Sequence, residues 1–259
     1  MVLYKTALVT GASAGFGYSI CELLASKGLH VIAVARRKDK LAELAKKNPL
    51  IMPLVYDVTS NENIITKIEK LAPPFNQVDV LINNAGLALG QDKSQHALIE
   101  DWDTMVETNI KGLLHVTHAL LPNMVKRNKG YVINIGSTAG TWPYEGGNVY
   151  GATKAFVEQF SRNLRTDLKG TAVKISVIKP GLCQDTEFSY TRFKGDAKKV
   201  FDVYKDTEAI SPHDIADMVL YLISTPPHLN INSVEMMPVC QTYGGLSVTR
   251  NLDLKEHPN

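Results

Sequence analysis

Seven apolar runs alternate with segments of helical period along this chain, and no other feature constrains its fold as strongly. The runs are Leu3 to Thr10, Leu29 to Ala35, Ile51 to Tyr56, Val78 to Ile82, Tyr131 to Ile135, Val173 to Ile178 and, last and shortest, Val234 to Pro238. Between them the pattern predicts helices over Phe16–Lys27, Asp39–Lys47, Asn61–Leu71, Glu100–Arg127, Val149–Leu168 and Pro212–Ser224. Pro73 and Pro74 stop the third helix, Gly112 and Pro122 interrupt the fourth, and Gly170 closes the fifth. Pro180 to Gly195 lacks a period and reads as a loop. Strands that are apolar throughout, each followed by a helix, belong to a parallel sheet covered on both faces. The expected fold is therefore α/β, a doubly wound Rossmann-type sheet of about seven strands. No linker, repeat or low-complexity tract divides residues 1–259, so one domain is expected.

Composition excludes several classes of partner. With 28 basic and 26 acidic residues the net charge is +2, which supplies no field for nucleic acid or an anionic membrane. No run approaches the ~18 consecutive apolar residues of a membrane span, and the N-terminal stretch, broken by Lys5, makes a poor signal peptide. Cys21, Cys183 and Cys240 form no CxxC pair, and an odd count does not suit a disulfide scaffold. Reduced thiols and a cytoplasmic location are expected. His115 and His118 lie three apart with no carboxylate to complete a zinc motif, so no metal site is expected.

In doubly wound sheets ligands bind beyond the carboxyl ends of the strands, so the residues just after each strand carry the chemistry. After the first strand comes Thr10, then Gly11-Ala12-Ser13-Ala14-Gly15-Phe16-Gly17, then a helix. Glycines between a strand and a helix let the backbone approach a pyrophosphate, and the helix N-terminus favours its charge. The spacing GxxxGxG differs from GxGxxG, and such a run also serves as a simple tight turn. After the second strand, where an NAD site would place an acid, stand Arg36 and Arg37. Two guanidinium groups suit a 2′-phosphate, so NADP(H) is the expected cofactor; Asp39 keeps an NAD-type alternative open. Asp57-Val58 follows the third strand and fits either an adenine amino group or a helix cap. Asn83-Asn84-Ala85-Gly86 follows the fourth, where asparagines also suit a plain turn.

Tyr150 and Lys154 stand four apart at a helix start, on one face. A free phenol, with a pKa near ~10, is a poor acid–base at neutral pH. A neighbouring ammonium favours the phenolate and fits it to exchange a proton with an alcohol or carbonyl oxygen. Ser137, after the fifth strand, can hydrogen-bond the same oxygen, and Asn109 can hold a water against Lys154. Each residue alone has an ordinary structural explanation; their joint placement carries the reading.

These residues together resemble the short-chain dehydrogenase/reductase family. TGASAGFG, Asn83 to Gly86, Asn109, Ser137, the YxxxK of Tyr150 and Lys154, and Pro180-Gly181 occur in its order and spacing over nearly the whole chain. The resemblance implies hydride transfer at C4 of a nicotinamide, with Tyr150 as acid–base, Lys154 holding the tyrosine and the nicotinamide ribose, Ser137 orienting substrate and Asn109 holding a water. It also implies cofactor contacts from Gly181, Leu182, Cys183, Thr186 and Phe188, beside Pro180, and a homotetramer. Small residues on the Tyr150 helix, Gly151, Ala152 and Ala155, suit such packing. Longer stretches, Asn83–Gly90, Asn134–Val157, Asn163–Val173, Thr186–Asp196 and Asn230–Leu246, are similar to the NADP-dependent 3-hydroxy acid dehydrogenases, which act on serine, L-allo-threonine and malonic semialdehyde.

The chain departs from that subgroup in two places. Several relatives have Glu before the Pro-Gly where this chain has Lys179, and the small residues after PGL are replaced by Cys183-Gln184-Asp185. A small-molecule substrate bearing a carboxylate needs a cation, and the loop after the sixth strand offers Arg192 and Lys194, with Lys179 as a further choice. Arg192 is preferred because its planar fork matches a carboxylate. Trp142, Pro143, Tyr144 and Met237 are expected to shape the pocket. A reductase of another small aldehyde, such as a sulfonated one, would share every catalytic residue. A non-catalytic NADPH sensor would be expected to lack the tyrosine or the lysine.

Overall fold

The computed structural model describes residues 4–60 and 62–243. Leu3, Asn61 and Gly244–Leu246, which belong to segments named above, lie outside the described residues. The strands are β1 (Thr6–Thr10), β2 (His30–Ala35), β3 (Ile51–Val55), β4 (Val80–Asn83), β5 (Gly130–Ile135), β6 (Val173–Pro180) and β7 (Ser233–Met236). The major helices are α1 (Gly15–Ser26), α2 (Lys38–Lys47), α5 (Leu113–Lys126), α6 (Asn148–Asp167) and α9 (Pro212–Ser224). Shorter ones are α3 (Ile65–Ile68), α4 (Ile99–Val106), α7 (Phe188–Arg192) and α8 (Ala197–Tyr204). The strands pair in parallel in the order β3-β2-β1-β4-β5-β6-β7.

Successive residues of each strand face opposite sides of the sheet. Ala7 and Val9 of β1 join a core with Ile20 and Leu24 of α1 and Ile215, Val219 and Leu222 of α9. Leu8, between them, joins Val116 and Leu120 of α5 and Leu164 of α6 on the other face. Both faces of β1 are thus dry, which is why that strand shows no polar alternation. Helix α9 starts where Pro212 predicts: Ser211 and Asp214 form a reciprocal capping box.

Besides shifts of a few residues at strand and helix ends and the unexpected α8, four stretches differ from the sequence reading. The helix expected over Asn61–Leu71 is reduced to α3, because Ile64, Ile65, Thr66 and Ile68 are β-branched and only Ile64 and Ile68 bury deeply. The helix expected over Glu100–Arg127 contains a π-helical turn at Glu107–Gly112, between α4 and α5. The loop Pro180–Gly195 contains α7, too short to show a period. The last strand begins at Ser233 and ends at Met236, leaving Met237 just beyond it.

The chain reverses direction across the sheet between β1 and β4, which pair with each other. Such a switch point opens a crevice at the carboxyl ends of the two strands. There Thr10 Oγ1 accepts from the amides of Asn84 and Ala85, both at 3.0 Å, while Asn84 Nδ2 donates to the Thr10 carbonyl at 2.8 Å. Asn84 thereby ties the two strand ends into one floor.

Candidate active site

A cavity of about 740 Å³ opens over that floor. At its base lie Gly11, Ser13, Ala14, Gly15 and Phe16. Gly11 has φ 68°, a conformation that a side chain would strain. Ala12 and Gly17, expected to touch the cofactor, do not line the cavity. Ala12 is fully buried, and a Cβ on Gly17 would run into the Gly11 carbonyl and the Asn84 amide. Their small size lets the helix start pack under the loop, which is a structural role.

Arg36 and Arg37 stand at one end of the cavity, with Asp57 and Val58 beside them. Arg37 donates through Nε and Nη2 to Ser13 Oγ at 3.1 and 2.9 Å, and through Nη1 to Glu187 Oε1 at 3.0 Å. Arg36 lies 3.9 Å from Asp57, whose Oδ1 also accepts from the amide and hydroxyl of Thr59. That second contact is the local capping turn weighed above for Asp57, and the residue borders the cavity as well.

At the other end are Ser137, Tyr150 and Lys154. Tyr150, Lys154, Val157, Ser161 and Leu164 form one buried stripe of α6, so the packing that anchors the helix also aims the phenol and ammonium. Ser137 caps the short turn Thr138–Gly140, accepting from the Ala139 amide at 3.1 Å. That turn rests directly on α6: a Cβ on Gly140 would strike the Lys154 backbone. Lys154 Nζ donates to the Ile135 carbonyl at 2.9 Å and lies 5.9 Å from the Tyr150 ring centroid. Burial pulls its ammonium down to about 8. Burial pushes the Tyr150 phenol well above its ordinary value, while the Ser137 hydroxyl and the Arg192 guanidinium oppose the shift.

Asn109 is brought close to this group but does not line the cavity. A Cβ on Gly86 would sit 3.2 Å from Asn109 Oδ1 and 3.4 Å from Lys154 Nζ. The Asn109 carboxamide accepts from the Leu87 amide at 2.9 Å and donates to the Leu87 carbonyl at 2.8 Å and Thr153 Oγ1 at 3.0 Å. Its side chain therefore fixes the segment after β4 against the π-helical turn.

Pro180, Gly181, Leu182, Cys183, Thr186 and Phe188 all line the cavity, as do Asn84, Ala85 and Gly86. Trp142, Pro143, Tyr144, Met237 and Arg192 form the wall near Tyr150. Arg192 Nε donates to the Gly90 carbonyl at 3.1 Å, and its guanidinium carbon lies 5.3 Å from the Tyr144 ring and 5.8 Å from the Tyr150 ring. Its Nη2 is buried and has no hydrogen-bond partner. Lys194 points elsewhere, paired with Asp101 at 2.8 Å.

Lys179 is also removed from the substrate side. It is buried, lies 3.1 Å from Glu235 and 3.5 Å from Glu158, and donates to Thr141 Oγ1 at 3.2 Å. Glu235 in turn accepts from the Trp142 indole at 3.2 Å and the Tyr243 hydroxyl at 3.2 Å. Burial works against the Glu235 charge, but these donors together hold its carboxyl below the usual range. The charge reversal at position 179 is thus absorbed inside the protein. Glu187, Glu235, Gln241 and Tyr243 escaped the sequence reading. Only Glu187 had a signal, an acid in the loop after the sixth strand, between the expected cofactor contacts Thr186 and Phe188.

The comparisons agree with this geometry. The family model for short chain dehydrogenase matches residues 5–197. This chain belongs to the short-chain dehydrogenase family. Within the family it is 52% identical over 245 residues to the NADP-dependent 3-hydroxy acid dehydrogenase YdfG of Salmonella typhi, covering 94% of this chain and 99% of that one. It is 42% identical over 246 residues to the serine 3-dehydrogenase of Agrobacterium fabrum, covering 95% and 98%. The closed form of a serine dehydrogenase complexed with NADP+ superimposes with a TM-score of 0.93 at 51% identity, covering 95% of this chain and all of that one. The seven-stranded sheet of the family thus stands on the apolar runs from which it was expected.

Proposed function

We propose that this chain is an NADP-dependent oxidoreductase of small 3-hydroxy acids, such as serine, L-allo-threonine or 3-hydroxypropionate, and of the corresponding carbonyl compounds. The observation that carries the substrate class is the buried, unpartnered Nη2 of Arg192 beside Tyr150. A buried guanidinium nitrogen without an acceptor is costly, and a substrate carboxylate satisfies it.

The residues fit the cofactor. The glycine loop leaves open space over the α1 N-terminus, Arg36, Arg37 and Ser13 gather donors at one end, and Lys154 stands at the other. When bound, NADP(H) supplies the hydride acceptor or donor. The protein supplies the rest. Arg192 holds the carboxylate and so fixes the reacting carbon. Ser137 donates to the substrate oxygen. Tyr150 takes the hydroxyl proton in oxidation and returns it in reduction. Lys154 would hold the nicotinamide ribose, while Trp142, Tyr144 and Met237 exclude water. Asn109 positions the Leu87 segment next to Lys154.

The single domain works in the cytoplasm as a homotetramer on this reading. Cys21, Cys183 and Cys240 are free thiols, no helix among the described residues is long and apolar enough to cross a membrane, and α6 leaves Ala152 exposed for a neighbouring subunit. Sedimentation of the purified protein tests the assembly.

Arg192→Met tests the substrate class. It should raise the KM for 3-hydroxypropionate roughly ten- to a hundredfold, the worth of a charge-assisted bond, and leave an uncharged 3-hydroxy alcohol nearly unaffected. Equal effects on both substrates would take Arg192 out of the binding site.

A further inference from the structure

The guanidinium of Arg37 is already engaged across the cavity. Nη1 donates to Glu187 Oε1 at 3.0 Å and Nη2 lies 2.9 Å from Oε2, so the carboxylate meets the fork with both oxygens. Ser13 Oγ takes the Nε side. Glu187 immediately precedes α7, in the segment that crosses the cavity from β6, whereas Arg37 immediately precedes α2 on the far side. Both side chains are about half exposed, at 44% and 58%, so water screens the pair and a stronger anion can open it.

A carboxylate and a phosphate make the same planar or forked contacts with arginine, and the phosphate carries more charge. We propose that Glu187 is a specificity-determining residue for cofactor choice: its carboxylate occupies Arg37 in place of the cofactor 2′-phosphate, and so reduces the margin by which NADP is preferred over NAD. The inference rests on the reading that Arg37 meets that phosphate. NADP binding must part Arg37 from Glu187 or bring a phosphate against a carboxylate, and either opposes binding. NAD, with a 2′-hydroxyl, leaves the pair in place.

Equilibrium binding of NADPH, NADH and adenosine 2′,5′-bisphosphate to four proteins tests this: the natural chain, Glu187→Gln, Arg37→Met and the double variant. Glu187→Gln should tighten NADPH and the bisphosphate roughly three- to tenfold and change NADH less than about twofold, consistent with loss of an exposed competing charge. In the Arg37→Met background the same substitution should change NADPH less than about twofold, because no guanidinium remains to contest. Unchanged or weaker NADPH binding by Glu187→Gln overturns the proposal while leaving the phosphate reading intact. Equal tightening in both backgrounds also overturns it, since the carboxylate would then act by repulsion alone. Failure of Arg37→Met to weaken NADPH binding removes the phosphate reading itself, and the proposal with it.

Discussion

The two ends of the cavity use charge differently. At the cofactor end the ions are exposed and already paired: Arg36 with Asp57, Arg37 with Ser13 and Glu187. At the substrate end Tyr150 and Lys154 are buried to within a few per cent of their surface, and Arg192 keeps one nitrogen without a partner. Exposed pairs rearrange at little cost and discriminate between ligands by small margins. Buried groups are costly to hold in place, and the same low dielectric strengthens their action on a bound substrate. One end selects; the other reacts.

The sharpest way to break this comparison is Tyr150→Phe. The fold and NADP binding should persist, while kcat falls by at least ~10² because the proton donor is gone; a near-normal kcat would place the acid–base elsewhere. Next in size is the cost of keeping Lys154 charged. Its pKa falls from 10.5 to about 8 on burial, so between those values the unfolded chain holds a proton that the native chain has lost. This group therefore makes native stability rise with pH across that window, and its full cost applies below about 8. Lys154→Met should be more stable near neutral pH by up to about 3 kcal/mol, less the lost bond to the Ile135 carbonyl, and the advantage should shrink as pH rises through the window. Urea unfolding of both proteins at several pH values measures it; an advantage independent of pH would show that desolvation of the ammonium is not its origin. The smallest effect belongs to the exposed end. Raising salt from ~50 mM to ~0.5 M should raise the KM for NADP several-fold and move the KM for 3-hydroxypropionate much less, as screening acts mainly on exposed charge. A larger response from the hydroxy acid would reverse the assignment of the two ends.

The sheet was legible because burial on both faces writes its central strands as apolar runs, as in residues 31–35 and 80–82. Tyr150 and Lys154 were legible because a helical repeat puts both on one face. Asn109 was located, but its grip on the backbone of Leu87 was not, because that partner lies 22 residues away and no local pattern announces it. The π-helical turn around it is equally silent, since a turn widened by tertiary contacts leaves residue spacing unchanged. Glu235 and Gln241 were missed for a related reason. They act from beyond or within the last strand on residues far earlier in the chain, Trp142 and Leu182.

The buried cluster around Lys179 also limits the order in which this protein can change. Its ammonium stands between Glu158 and Glu235, and Glu158 has a further partner in Arg162. Exchanging Lys179 for glutamate in one step would bring three carboxylates together with little solvent to screen them, a loss of several kcal/mol by the usual cost of breaking a buried ion pair. The exchange becomes tolerable only once Glu235 or Glu158 has been replaced, and replacing Glu235 first releases the indole of Trp142. Along the Glu235 route, a lineage carrying lysine here is separated from one carrying glutamate by a step that loosens the substrate wall, which ties the identity of this hidden residue to the shape of the pocket.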